Sequence, residues 1–568
     1  MSEQFIKDLT LASRTVKTIA RMTGFHRPFR ILKALTDYHR IQGSTGLIDA
    51  AEQLEEIVLE LAPDIIDTEL IVYTGRSGPS WLPLPVRWDV ASAVLEVGDR
   101  RYTFDQHPTL PAAHSPPTEG WVEGEVREPE DPLDPDSYSD KEAIYLITKH
   151  HKAAYRVAAE EGVAGVILAK RNAHPNGFPY LGLFLTAEEA QRYTTPAITV
   201  PWSEASHLAG KSVRFRVDAD IGGPGRLPVL VAWVGDRNGS GPVILAHMCH
   251  PRPGANDNAS GASSAVEAFL ALAESLDSGV LEQVEDTIRL VLVPEYMGTV
   301  LSVEGWLKGK ATAVVNLDMV GASSYFGVDS AKIYYPPVTA PEHRLADIMY
   351  WVSKLGNLGI GLTRYMYGSD HDVFLAYGVE SEIVNQWPDP HYHTDLDDAD
   401  KIDPVRLWKA AVLAASSAYL YARGVNPPPA AEEVVNGVIA HHVGREDLVA
   451  ARLAAYYLPL HYDLKPLASP PPWSPPVPEI EELKFRRPML HGLALWRSDR
   501  DLIVEVLRKL EQEDIPRDLF YGEVAFALSR GVPVKALYTL AAAVYGVEKG
   551  VRGVELAVDF IVRAGLAG

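Results

Sequence analysis

The sequence predicts an α/β protein: a mixed, largely parallel sheet covered by helices, with an inserted β-rich domain and a C-terminal helical domain. Three observations carry this. Between about residues 226 and 424, short apolar strands alternate with helical patterns. From 76 to 225 that alternation stops, and prolines with short alternating runs take over. Beyond two proline-rich stretches the chain is amphipathic and helical. With 568 residues it is too long for one core, so several domains are expected.

Residues 1–75 read as helices followed by the first strand of the main domain. "GSTGLIDAAEQLEEIVLELA" has apolar residues at helical spacing behind a Gly-Ser-Thr entry, and "DTELIVYTG" reads as a strand. Residues 76–225 read as a separate inserted domain. Within it "KEAIYLITKHHKAAYRVAAEEGVAGVILAKRN" is strand, helix, strand, and "TPAITVPWSEASHLAG" is strand, helix. In 226–424 the strands are "LPVLVAWVG", "GPVILAHMC", "TIRLVLVPE", "TAVVNLDMV" and "VESEIVNQ", and the clearest helices are "ASGASSAVEAFLALAESL" and "PVRLWKAAVLAASSAYLYARG". "VNPPPAAEE" and "LASPPPWSPPVPEIEEL" mark 425–479 as a stiff linker region. Residues 480–568 read as helices without a titratable cluster.

Totals exclude several partners. A formal charge of −22 repels nucleic acid and anionic membrane surfaces. No run of about eighteen apolar residues signals a membrane span, and "MSEQFIKDLTLASRTVK" lacks the basic-then-apolar pattern of a secretory signal. The single cysteine excludes an intrachain disulfide and fits a reducing compartment. A cytoplasmic protein is the expectation.

Four stretches carry unusual polar residues, each where an apolar strand has just ended. "VILAHMCHPRPGANDNASG" holds His247, His250 and Asp257; "IRLVLVPEYMGT" holds Glu295; "AVVNLDMVG" holds Asp318; and "PDPHYHTDLDDADKI" holds His391, His393 and Asp395. Ligands of open α/β sheets bind beyond the carboxyl ends of the strands, so these loops can converge. Imidazoles and carboxylates at one point suit a zinc ion with an open coordination position. A glutamate beside it suits a general base acting on water. Taken singly, each residue has an ordinary reading: strand-end hydrogen bonding for His247 and Asp318, helix capping for Asp257 or Asn258, and a small buried side chain for Cys249. Their joint occurrence in one domain is the signal.

These stretches, with "YGSDHDVFLAYGV" and the early "HRIQGSTGLIDAAEQLEEIVLEL", resemble in order the signatures of the zinc aminopeptidases related to bacterial leucyl aminopeptidase and glutamate carboxypeptidase. Residues 76–225 resemble a protease-associated domain. The resemblance covers about 30–424 and implies a zinc-exopeptidase fold and a metallo-aminopeptidase that hydrolyses N-terminal peptide bonds. It implies Asp257 as bridging metal ligand, Asp318 and His393 as further ligands, and either His247 or His250 as the first histidine. Glu295 matches the general base. The adjacent glutamate that the family uses as a ligand is here Tyr296, and a phenol with its reference pKa of about 10 is a poor zinc ligand at neutral pH. One zinc rather than two is therefore the expectation. Tyr296, Asp370 and His371 fall at substrate-side positions. The partner implied is a peptide; self-assembly and the preferred N-terminal residue stay open. Three rivals stand beside this reading: an N-terminal glutaminyl cyclase-like acyltransferase, a non-catalytic peptide-binding or scaffold protein on the same fold, and a carbohydrate- or amide-directed hydrolase.

Overall fold

The computed structural model describes residues 3–566 apart from 76–77, 80, 83, 339, 341–342, 463, 477, 479, 481–482, 484–494, 496–497 and 499. Strand β1 (Asp67–Thr74) leaves the N-terminal helices. It is followed by β2 (Val86–Val97), β3 (Arg100–Thr103), β4 (Val122–Arg127), β5 (Ile144–Ile147), β6 (Gly165–Leu168), β7 (Ala197–Thr199) and β8 (Ser212–Pro224). The chain then forms β9 (Arg226–Val234), β10 (Gly241–His247), β11 (Ile288–Val293), β12 (Ala311–Leu317), β13 (Lys332–Tyr334), β14 (Gly361–Thr363) and β15 (Glu380–Asn385).

The main sheet has the order β1-β9-β11-β10-β12-β15-β13-β14. Its centre, β11-β10-β12-β15, is parallel throughout, while β1, β9 and β13 run antiparallel to their neighbours β9, β11 and β15. Such strands are covered on both faces, which is why they read as unbroken apolar runs. Side chains alternate between the two layers. On β10, Ile244 and Ala246 join the core beneath the N-terminal helices and the helices Gly261–Asp277 and Pro404–Ala422. Val243 and Leu245 join the opposite core, with Val300, Leu301 and Phe374. The expected mixed α/β class is the one observed.

The second sheet is built from the strands between residues 86 and 224, in the order β3-β2-β8-β4-β5-β6-β7. Its last four strands are parallel. One face packs Ile144, Leu146, Ile167 and Phe215. The other packs Tyr145, Ile147, Val166 and Leu168 with Leu519, Phe520, Val524 and Phe560 of the C-terminal helices. The inserted segment and the C-terminal helices thus share a core.

One expectation is corrected here. Residues 425–479 are not linker throughout: Ala431–Gly444 and Leu448–His461 are helices. Pro427 to Pro429 precede them, but Val434, Val435, Val438, Leu453 and Leu458 recur at helical spacing and are buried with Tyr335 and Val338. Apolar burial outweighs the neighbouring proline signals. The second proline-rich stretch lies partly, and residues 484–494 wholly, outside the described residues. Among the described residues no helix is long and apolar enough to cross a membrane.

Phe520 is fully buried in the shared core. Phe520→Ala should destabilise the protein by about 3–5 kcal/mol, the usual range for emptying a buried phenylalanine site. Denaturant titration reads that loss, and limited proteolysis should show faster cleavage in residues 86–224 as well as in the C-terminal helices.

Candidate metal centre

Because β11, β10, β12 and β15 are adjacent and parallel, their carboxyl ends share one edge. His247 ends β10, Glu295 lies two residues past β11, Asp318 follows β12, and His393 sits in the loop after β15. Chain direction alone therefore brings four distant stretches to one point.

Their atoms form two groups. His250, Asp257 and His393 make one, and His247, Glu295 and Asp318 the other; within each, the potential ligand atoms lie within 4.8 Å of one another. Asp257 joins them. Its Oδ2 is 3.4 Å from His250 Nε2 and 3.2 Å from His393 Nε2, and its Oδ1 is 3.3 Å from His247 Nε2. His247 Nε2 is also 3.4 Å from Asp318 Oδ1. Donor atoms on adjacent vertices of a tetrahedron with bonds of ~2.0–2.1 Å are about 3.3–3.4 Å apart, so these separations suit ligands around an ion.

The imidazoles are oriented for that task. Nδ1 of His247 lies 3.2 Å from the Cys249 carbonyl and Nδ1 of His250 lies 2.9 Å from the Pro251 carbonyl. A carbonyl only accepts, so each Nδ1 carries a proton and Nε2 is the ring atom turned to the cluster, free to bind an ion once it has no proton of its own. His250 Nε2 and Asp318 Oδ1 are buried without a hydrogen-bond partner. Buried polar atoms are rarely left so, and both aim into the cluster. The donor set fits zinc.

Local sequence explains the loop. Asn256 Oδ1 accepts the N–H groups of Gly321 and Ala322, and its Nδ2 donates to Asp389. Asn258 Oδ1 accepts from Gly261 at the start of the helix Gly261–Asp277 and from Met319. The ordinary capping reading thus holds for Asn258, while the carboxylate between the two asparagines faces the histidines. Asp397 accepts the N–H groups of Asn256 and Asp257 at 2.8 and 2.9 Å. Gly254 has φ +54°, and a Cβ there would stand 2.4 Å from His250 Nδ1, so only glycine fits. Tyr296, Met319 and His393 all have positive φ, a conformation that non-glycine residues keep when the surroundings impose it.

Two contributors carry no signal in the sequence. The Arg40 guanidinium, fully buried, donates to the carbonyls of Met248 and Gly254 at 2.8 and 3.2 Å and pins both ends of the His250 turn. Tyr180, from the inserted segment, has its ring 4.9 Å from those of both His250 and His393. Its backbone N–H donates to the His393 carbonyl at 2.7 Å. Both residues are linked to the site only through the fold.

Electrostatics follow from burial and crowding. Burial pushes Glu295 well above the ordinary carboxylate range; His247 opposes this, while Asp370, Asp318 and Asp257 reinforce it. Burial also disfavours charge on His247, but Glu295, Asp318 and Asp257 outweigh it and raise that imidazole well above its usual value. Burial lowers His393 to about 4, with Asp257 opposing. Asp257 is held well down despite its burial, by His250, His247 and His393. The carboxylates around His247 thus favour a positive charge at that position.

Tyr296 does not turn its hydroxyl to the histidines: it donates to Asp372 at 2.7 Å, and its N–H donates to Asp370 at 2.7 Å. Asp370 also accepts from Thr299 Oγ1 at 2.5 Å, and its Oδ2 is buried without a partner. His371 is buried, with Nε2 2.8 Å from the Met366 carbonyl. His391 and Asp395 stand outside both triads; Asp395 instead meets His107 at 2.6 Å and accepts the Phe178 N–H at 2.8 Å. His247 and His250 are not alternatives, since each serves its own triad.

Comparison with known proteins agrees with this geometry. Residues 229–418 match the model of peptidase family M28. A Peptidase M28 precursor from Shewanella amazonensis SB2B superposes with a TM-score of 0.55 at 18% identity, over 74% of this chain and 99% of that one. A zinc aminopeptidase from Bacillus subtilis superposes with a TM-score of 0.53 at 17% identity, over 72% and 96%. Curated proteins gave no match.

Proposed function

We propose, from the match of residues 229–418 to the model of peptidase family M28, that the chain is an aminopeptidase with two zinc ions and Glu295 as general base. One observation carries the count: the two oxygens of Asp257 are divided between two triads. His247, Asp257 and Asp318 would hold one ion, and His250, Asp257 and His393 the other. Tyr296, turned to Asp372, belongs to neither group, and His250 is the third donor beside Asp257 and His393. The choice of zinc and of N-terminal cleavage is supported by the name of the Bacillus subtilis structure.

Held by these residues, zinc would supply a more acidic water and polarise a substrate carbonyl. Glu295 takes the proton of the attacking water and passes it to the leaving nitrogen. Its carboxylate stands in the His247 group, where it is placed for both transfers. Tyr180, whose phenol burial keeps protonated, is a donor facing the same space. In this reading the inserted segment is a protease-associated-like roof that limits the size of the substrate.

His250→Ala should lower zinc from about two ions per chain to about one while leaving the His247 triad loaded. Elemental analysis of dialysed protein checks it, alongside turnover of aminoacyl amides. Two ions retained in the variant, or one in the wild type, would remove the dinuclear reading.

A further inference from the structure

We propose that Asp372 is a positioning residue for Glu295. By joining the phenols of Tyr296 and Tyr365 it braces the turn that carries the Glu295 carboxylate, and it lets the C-terminal helices act on the rate. The role of Glu295 is taken from the reading above; the bracing of its turn does not depend on it.

Glu295 lies in a turn between β11 and the helix Met297–Glu304. Between it and that helix, Tyr296 has φ 57° and ψ −58°, a conformation a tyrosine keeps only where its surroundings impose it. The restraints on the backbone are local. The Glu295 N–H donates to Cys249 Sγ at 3.1 Å, and the Glu295 carbonyl accepts from Gln42 Nε2 at 3.0 Å. The Tyr296 N–H donates to Asp370 Oδ1, which also takes the Thr299 hydroxyl. One restraint reaches beyond the turn: the Tyr296 phenol donates to Asp372 Oδ2 at 2.7 Å.

Asp372 is fully buried and is bonded on both oxygens. Its Oδ2 also accepts the Gly368 N–H at 2.8 Å and the Ser369 N–H at 3.3 Å, while its Oδ1 accepts the Tyr365 phenol at 2.6 Å. One carboxyl group therefore fixes two phenols in relation to each other. Tyr365 in turn stands against the C-terminal helices. Its ring meets Phe526 edge-on at 6.0 Å, and a Cβ on Gly522 would collide with its hydroxyl. Two residues on, the Tyr367 N–H donates to Asp518 at 3.2 Å and the Tyr367 ring stacks on Tyr521 at 5.2 Å. The path from these helices to Glu295 thus runs through Tyr365, Asp372 and Tyr296, and every step is a contact. It also gives the tyrosine at 296 a use. A phenol there donates to Asp372, whereas an ionised glutamate could only accept.

Tyr296→Phe removes the hydroxyl and keeps the ring, and Tyr365→Phe does the same at the other end of the path. Tyr296→Phe should lower kcat on aminoacyl amides about tenfold, because small displacements of a catalytic group are costly, with KM and zinc content unchanged. Tyr365→Phe should lower kcat in the parent but no further in the Tyr296→Phe background, since its effect travels through that phenol. Additive losses in the double variant, a Tyr296→Phe kcat equal to the parent's, or a change confined to KM, as for a substrate contact, overturns the proposal. Hydrogen exchange reads the bracing without turnover. The amides of residues 295–297 should exchange faster in Tyr296→Phe, while those of β10 and β12 keep the parent's protection. Unchanged exchange at 295–297 overturns the bracing. A parent without turnover would remove the peptidase reading alone, and the exchange measurement would still decide the bracing.

Discussion

Asp257→Ala should lose nearly all bound zinc, from about two ions per chain to a small fraction of one. This single carboxylate supplies an oxygen to each triad, with separations of 3.2 to 3.4 Å to three imidazoles. Removing it would strip each proposed ion of a charged ligand and leave His250 and His393 as the remaining donors of their group. The loop itself should survive, because Asn256, Asn258 and the backbone contacts to Asp397 hold it independently of the Asp257 side chain. Elemental analysis together with circular dichroism distinguishes a lost ligand from a lost fold. Full metal at unchanged affinity in the variant would end the assignment.

Glu295→Gln should keep both ions and the fold but lose roughly 10²–10⁴-fold in kcat, the span of a general-base contribution. The amide retains the shape of the side chain and removes its ability to take a proton. A scaffold protein on this fold would show no such fall, and its peptide binding would be untouched, so the variant separates an enzyme from a binding module. KM should move little, since the lost role belongs to the transition state. A variant as active as the parent would show that the proton is carried elsewhere.

Much of this centre is legible in the sequence because sheet topology does the assembling. Four apolar runs ending in His247, Glu295, Asp318 and the loop before His393 need only be parallel neighbours for their ends to meet, and alternation of strand and helix says that they are. What local pattern does not contain is contact across the chain. Arg40 reads as one basic residue in a helical region, yet it fastens the turn that carries His250. Tyr180 reads as one aromatic in a proline-rich insertion, yet it lies against two of the three histidines. The role of His250 was hidden for a related reason: from sequence it competes with His247 for one position, and only the turn at Gly254 shows that the two point to different sides of Asp257. The helices at 431–461 were masked by the prolines on either side, although their valines and leucines carry the period that burial requires.

The core shared by β5, β6 and the C-terminal helices gives the chain the layout of a clasp. The insertion leaves the main sheet after β1, lays Tyr180 against His250 and His393 and returns at β9; the far end of the chain then fastens onto it. The same helices also pack on the main domain, Phe526 with Val300 and Phe374 and Val544 with Tyr335 and Val338, so they tie the insertion to the sheet it covers. A substitution at Phe520, remote from every candidate ligand, therefore loosens the strap that holds the insertion against the main domain.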